Sequence, residues 1–264
     1  MKQLIKSIIP KQVIEKYRSY KQDQNKKRDI SLYKGSAVKC PICNSSFKIF
    51  GEFGLNKRIN AKCHNCSSLE RHRLIYLYLS DTINIFDKNI KPIRLLHFAP
   101  EKIFYEMLAP NQSISYTPCD LFPELYNYGG KSKIEKVDIT NIPFEDQSFD
   151  FILCNHVLEH IPDDNLAMSE LYRVLSYGGN GIFQVPIDYS RKETYEDWSI
   201  TSPEEREKAF GQSDHVRWYG QDYKNRLEKV GFTVNEIDVK SKFTSDEIFK
   251  FGLMESEKIY HCKK

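Results

Sequence analysis

From residue 91 onward, short apolar runs alternate with stretches patterned as helices. The runs IRLLHF (93–98), ISYTPCD (114–120), KVDI (136–139), FDFILCN (149–155), GNGIFQVPI (179–187), FTVNEIDV (232–239) and KIYHCKK (258–264) read as strands. Helices fall between most of them, around 101–109, 164–176 and 221–230. This alternation predicts an α/β domain with a mainly parallel sheet and helices on both faces. Some boundaries are sharp. Asp163 or Asp164 caps a helix that ends at Gly178-Gly179. Ser202-Pro203-Glu204-Glu205 is a capping box with proline at the first helical position, closed by Gly211, and Gly231 closes the next helix.

The front of the chain is patterned differently. Residues 1–34 are polar and Lys-rich, with an apolar stripe of Leu4, Ile8, Ile9, Val13, Ile14 and Tyr17 interrupted at Pro10. Residues 35–68 are loop-rich and carry cysteines. Ser68 reads as the N-cap of a helix from Leu69 to Leu79. The expected organisation is therefore a basic helical segment (1–34), a cysteine module (35–68), a connecting helix and linker (69–90) and the α/β domain (91–264).

Charge sharpens that division. The net +3 of the 264 residues hides 17 Lys+Arg against 5 Asp+Glu in residues 1–80, and 22 against 31 in the remainder. A basic front suggests an anionic partner, a membrane surface or RNA, although a solvated basic helix has the same composition. No apolar run approaches the roughly 20 residues needed to span a bilayer. No secretory signal is legible either, so the expected location is the cytoplasm, with the inner face of the membrane as a possible resting surface.

Seven cysteines are present, four of them in the pairs CPIC (40–43) and CHNC (63–66), separated by nineteen residues. Each C-x2-C can place two thiolates on one tight turn, and two turns complete a tetrahedron around Zn²⁺. Cys40, Cys43, Cys63 and Cys66 are the expected ligands of a structural ion. His64 lies inside the second pair, but four thiolates already close the site. With few aliphatic residues between the pairs, the ion is expected to supply much of the module's folding energy.

Two stretches, KVDITNIPFEDQSFDFILCNHVLEHIPDD (136–164) and LYRVLSYGGNGIFQVPI (171–187), resemble class I S-adenosylmethionine-dependent methyltransferases, in particular methyltransferase type 11. The shared elements are an acid before an Ile-Pro-Phe turn, D-x-S-F-D, a strand ending near H-V-L-E-H, and R-V-L-x-x-G-G. The resemblance covers roughly residues 91–264. It implies a Rossmann-like, seven-stranded, mainly parallel sheet that binds S-adenosylmethionine at its carboxyl edge. It also implies that Asp120 meets the ribose hydroxyls, that Asp138 and Ile139 lie against the adenine, and that Asn155 and His156 face the reacting centre. The turn after the first strand departs from the family. His97 stands where an acid is common, and Ala99, Glu101 and Ile103 stand where glycines are common; by their place in the resemblance, His97, Ala99 and Glu101 are expected to contact the cofactor. Glu101 gains the option of pairing with the cofactor's ammonium group.

H-V-L-E-H (156–160) also matches the inverted zinc-peptidase signature. A peptidase needs that motif inside a stable helix, whereas here it leaves a strand directly and Pro162 stops it. For the acceptor side, FGQSDHVRWYG (210–220) concentrates Gln212, Asp214, His215, Arg217 and Tyr219. His215 is the preferred general base, with His156 as the other candidate. Asp214 is expected to orient His215, and Arg217 to grip an anionic group. Residues 191–223, with Tyr195, Trp198, Trp218 and Tyr219, form a candidate lid whose aromatic faces suit a saccharide. The expected acceptor is a small molecule or glycan, methylated on oxygen. The alternatives are an RNA methyltransferase using the cysteine module and basic front, or a non-catalytic zinc-dependent interaction protein.

Overall fold

The computed structural model describes residues 11–54, 57–87, 92–130 and 132–264; Leu4, Ile8, Ile9 and Pro10 of the N-terminal stripe lie outside them. The chain divides into two compact units, Met1–Ile83 with Phe243–Glu257, and Asn84–Lys242 with Lys258–Lys264.

In the first unit, α1 (Lys11–Leu32) precedes two small antiparallel pairs, β1 (Lys34–Lys39) with β2 (Ser46–Phe47), and β3 (Gly51–Phe53) with β4 (Arg58–Lys62). Val13 and Tyr17 on α1 are exposed. A small apolar cluster of Val38, Phe47 and Phe50 packs around Cys40 and Cys63, and α2 and the 243–257 segment bury further apolar residues, among them Leu74, Ile75, Leu79 and Ile248. α2 (Glu70–Asp81) begins one residue later than the sequence suggests, with Leu69 and not Ser68 at its N-cap. The Ser68 hydroxyl is instead drawn to the thiols, 3.3 Å from Cys40 Sγ and 3.2 Å from Cys66 Sγ. Arg73 on α2 is fully buried. It donates to Ser68 O (2.8 Å), Phe251 O (2.6 Å) and Gly252 O (2.6 Å), and its guanidinium lies over Phe50. It thereby fixes the end of the helix Ser245–Phe251, where Gly252 turns left-handed, against the cysteine-bearing strands.

The second unit is built on a seven-stranded sheet of order β12-β13-β9-β8-β5-β6-β7. Its strands are β5 (Ile93–Phe98), β6 (Ile114–Asp120), β7 (Glu135–Lys136), β8 (Phe149–Asn155), β9 (Leu175–Gln184), β12 (Thr233–Asp238) and β13 (Lys258–Lys263); β10 (Tyr195–Glu196) and β11 (Arg217–Trp218) form a separate small ladder. β7, β6, β5, β8 and β9 run parallel, and β13 enters antiparallel between β9 and β12. Helices α3 (Lys102–Leu108), α4 (Asp164–Val174), α5 (Pro203–Phe210) and α6 (Tyr223–Lys229) connect the strands.

β5, β6 and β8 fill the spans expected of them; β5 and β8 are largely buried apolar runs with no competing helical period. α4 stops at Val174, short of the expected Gly178-Gly179. Leu175 turns to extended backbone, is fully buried and opens β9 opposite Phe149. Strand order reverses across β5 and β8. Their carboxyl ends, with those of β6 and β9, bring Phe98, Asp120, Asn155 and Gln184 to one edge of the sheet, where open α/β sheets bind ligands.

Candidate active site

At the end of β5 the chain turns through Ala99 at φ 45°, a left-handed conformation that costs an L-residue about 1–2 kcal/mol. Ala99 thus holds a backbone shape that glycine supplies freely, and its N–H is fixed to Cys119 O at 3.0 Å. Glu101 is the N-cap of α3, yet its side chain makes no capping bond. One carboxylate oxygen meets His97 Nε2 at 3.0 Å instead. His97 is fully buried, and its Nδ1 lies 2.9 Å from the Tyr116 hydroxyl. Burial pushes the Tyr116 phenol well above its ordinary pKa, so it keeps its proton. This corrects the expectation for His97. With both ring nitrogens engaged inside the protein, it positions Glu101 and makes no direct contact with a cofactor.

At the end of β6, Asp120 accepts the Phe122 N–H on one oxygen and the Tyr126 hydroxyl on the other, each at 2.7 Å. A carboxylate has about four acceptor sites, so each oxygen keeps a lone pair for a further donor. Tyr126 continues into a cleft of about 380 Å³ lined also by Tyr105, Tyr128 and Glu124. Tyr128 donates to Pro100 O at 3.0 Å, tying the cleft to the β5 turn. After β7, Asp138 is exposed and one of its oxygens accepts from the Thr140 N–H and hydroxyl. The Ile139 side chain does not face a ligand as expected, because it is packed into the apolar core.

The end of β8 is the most unusual stretch. Asn155 is buried, and neither atom of its amide has a partner among the described residues. His156 adopts φ 55°, its N–H bonded to Gln184 O at 2.7 Å, and its Nδ1 lies 3.4 Å from Glu159. The H-V-L-E-H motif then makes one 3-10 turn, Leu158–His160, which excludes the peptidase helix. The 210–220 loop folds back onto this turn, with Val216 N–H donating to Glu159 O at 3.0 Å. His215 is buried, its Nδ1 is 3.1 Å from Phe210 O, and its Nε2 has no partner among the described residues. Burial holds its pKa below the ordinary histidine value.

Three expectations for this loop change. Asp214 is exposed and flanks His160 Nδ1 through its carbonyl (3.2 Å) and carboxylate (3.4 Å), so the hydrogen-bonding partner that orients His215 is Phe210 O. Arg217 is not a substrate grip. It is 1% exposed and donates to Glu196, Leu158 O, Ile161 O and Pro162 O. Tyr219 is no lid residue either, being fully buried with its hydroxyl on Asp164. The pair the sequence did not single out is Glu159 with His160. Their signal was present in H-V-L-E-H, but the partner that completes them, His215, lies far along the chain.

Residues 102–183 match the family described as "Methyltransferase domain". The chain carries a methyltransferase domain. It is 33% identical over 111 residues to a malonyl-[acyl-carrier protein] O-methyltransferase of Erwinia billingiae, covering 41% of this chain and 43% of that protein. It is 35% identical over 66 residues to a demethylmenaquinone methyltransferase of Streptomyces avermitilis, covering 24% and 29%. The chain thus spans less than half the length of each of these relatives. A solved S-adenosylmethionine-dependent methyltransferase of Archaeoglobus fulgidus aligns with 72% of this chain and 93% of its own, at 18% identity and a TM-score of 0.48.

The methyltransferase domain is preceded by the cysteine cluster. Cys40 and Cys66 Sγ lie 3.6 Å apart, and Cys43 and Cys63 Sγ lie 3.7 Å apart. Four sulfurs about 2.3 Å from a tetrahedral ion stand about 3.8 Å from one another, so the thiols are already spaced for Zn²⁺. The two turns match. Asn44 N–H donates to Cys40 O and Ser67 N–H to Cys63 O, with Asn44 and Ser67 both at positive φ. His64 is turned away, 3.1 Å from Ile49 O and stacked on Tyr33.

Proposed function

We propose that the protein is an S-adenosylmethionine-dependent methyltransferase acting on a hydroxyl of a small-molecule or saccharide acceptor, with Zn²⁺ held by Cys40, Cys43, Cys63 and Cys66 in a structural role. The observation that carries this reading is the set of ligand-competent polar groups at the carboxyl edge of the sheet: Glu101 held by His97, the spare lone pairs of Asp120, and the unpartnered amide of Asn155. They suit the ammonium, ribose and carboxylate groups of the cofactor, which needs no phosphate cradle and so tolerates a turn without glycine. When bound, S-adenosylmethionine supplies an electrophilic methyl on a sulfonium. The protein's task is to hold the acceptor in line with it. The 210–220 loop brings His215 Nε2, a lone pair without a protein partner, to the acceptor side. The O-methyltransferase name of one relative supports oxygen as the acceptor atom.

Isothermal titration with S-adenosylmethionine tests this. Glu101→Ala is expected to weaken binding at least tenfold, about 1.4 kcal/mol. Unchanged affinity would remove Glu101 from the site, and no binding by the parent chain would overturn the reading. Labelled methyl transfer into fractionated cell extract identifies the acceptor. The basic charge of residues 1–80 favours a second reading, methylation of RNA with the front of the chain on phosphates. Co-purifying nucleic acid with steep salt dependence would select it.

A further inference from the structure

We propose that Glu159, His160 and His215 form a second metal site, distinct from the four cysteines, for a divalent first-row transition ion with an open coordination position. One donor atom from each of the three lies within 4.8 Å of the others. Bonds of about 2.1 Å in a tetrahedral arrangement would bring the donors to about 3.4 Å, a closure of about an ångström or less for each side chain.

Glu159 is 1% exposed and one of its carboxylate oxygens has no partner among the described residues; His215 is 4% exposed and its Nε2 has none among them either. Burying a carboxylate oxygen and an imidazole lone pair side by side without a donor is costly, and a cation satisfies both at once. The second shell is also in place. His215 Nδ1 faces Phe210 O, and His160 Nδ1 faces the carbonyl and carboxylate of Asp214. An acceptor on Nδ1 fixes the tautomer that leaves Nε2 as a ligand, the arrangement found around metal-bound histidines. The two rings lie edge to face with their centroids 4.7 Å apart. Two imidazoles and one carboxylate make a borderline N2O donor set that selects ions such as Zn²⁺, Mn²⁺ or Fe²⁺ over Ca²⁺. Three protein ligands leave a fourth position.

That position would take the acceptor's oxygen, a role that rests on the methyl-transfer reading; metal binding itself does not. The bound hydroxyl loses its proton to water. Its oxygen forms the new O–C bond as the S–C bond breaks, and the electron pair stays on sulfur. His215 then acts as a ligand and not as the base.

The test is metal stoichiometry on the full chain. After loading with excess ZnCl2 and gel filtration, the parent is expected to hold two zinc per chain, and Glu159→Gln and His215→Ala one each. Reloading with Co²⁺ separates the sites. The thiolate site gives an intense sulfur-to-cobalt charge-transfer band, which should persist in both variants and so report that they are folded. The weaker d–d bands of the second equivalent should disappear. A parent that holds one ion, or both variants retaining two, overturns the site. His215→Ala that loses turnover with an unchanged metal count makes His215 a direct base, which also overturns the site while methyl transfer stands. Two ions in a chain that binds no S-adenosylmethionine would instead remove the methyl-transfer reading and keep the site.

Discussion

Arg217→Met is expected to unfold the acceptor side of the domain before it affects chemistry directly. The Arg217 guanidinium donates 2.6 Å to Glu196 Oε1, 2.9 Å to Leu158 O, 2.5 Å to Ile161 O and 2.8 Å to Pro162 O. Methionine fills similar volume but leaves three carbonyls without that donor. Removing one partner of a buried pair costs about 3–5 kcal/mol. Glu196 keeps Arg226 at 2.9 Å, so its charge is not stranded, and the loss belongs near the lower end, about 3 kcal/mol. At about 2–4 °C per kcal/mol for a domain of this size, the melting temperature should fall by about 6–12 °C. Arg217→Lys should recover only part of this, because one ammonium cannot span Glu196 and three carbonyls. Thermal unfolding followed by circular dichroism, with turnover measured well below the transition, checks both. An Arg217→Met variant that melts within about 2 °C of the parent yet has lost turnover would refute the structural role and return Arg217 to the substrate.

Two further outcomes follow from other parts of the molecule. Chelation, or Cys43→Ser, should make residues 34–68 sensitive to limited proteolysis, since the four thiols sit at the centre of the small cluster of Val38, Phe47 and Phe50; equal resistance with and without metal would count against a structural ion. His261 is buried against Asn180, and burial, with Lys263 nearby, lowers its pKa to about 4. The unfolded chain takes up that proton near pH 6.5, so between pH 6.5 and 4 the unfolded state binds more protons and acidification destabilises the fold, by at most about 3 kcal/mol. Urea unfolding at pH 7 and pH 4.5 measures this. A His261→Gln variant with the same pH slope as the parent would assign the effect elsewhere.

β5 and β8 were legible because each is a largely apolar run bounded by polar turns, whereas β7 is only the exposed Glu135–Lys136 and not the expected 136–139; the cysteine site was legible because its spacing alone suits a tetrahedral ion. What escaped the sequence was set by burial. Arg217 and Tyr219 sit in a polar, glycine-flanked stretch that reads as a solvated loop, and only the folded chain shows them inside, on Leu158 O and Asp164. His97 reads as a cofactor contact until Tyr116, on the neighbouring strand, is seen to take its other nitrogen. Ala99 reads as a lost glycine, whereas its φ of 45° shows that the turn takes a left-handed residue there all the same. Glu159 and His160 were in plain view, but a ligand set assembled from distant segments has no local period to betray it.

The path of the backbone bears on how such a protein can be inherited or divided. The chain passes between its two compact units after Ile83, returns at Phe243 and leaves again after Glu257. A single crossover between related genes therefore cannot exchange one unit for another. A chimera that carried only residues 1–83 would bury the Arg73 cation without the Phe251 and Gly252 carbonyls that receive it. Residues 243–257 must travel with the cysteine-bearing segment, so the front of this protein is a discontinuous unit of recombination and not a detachable prefix.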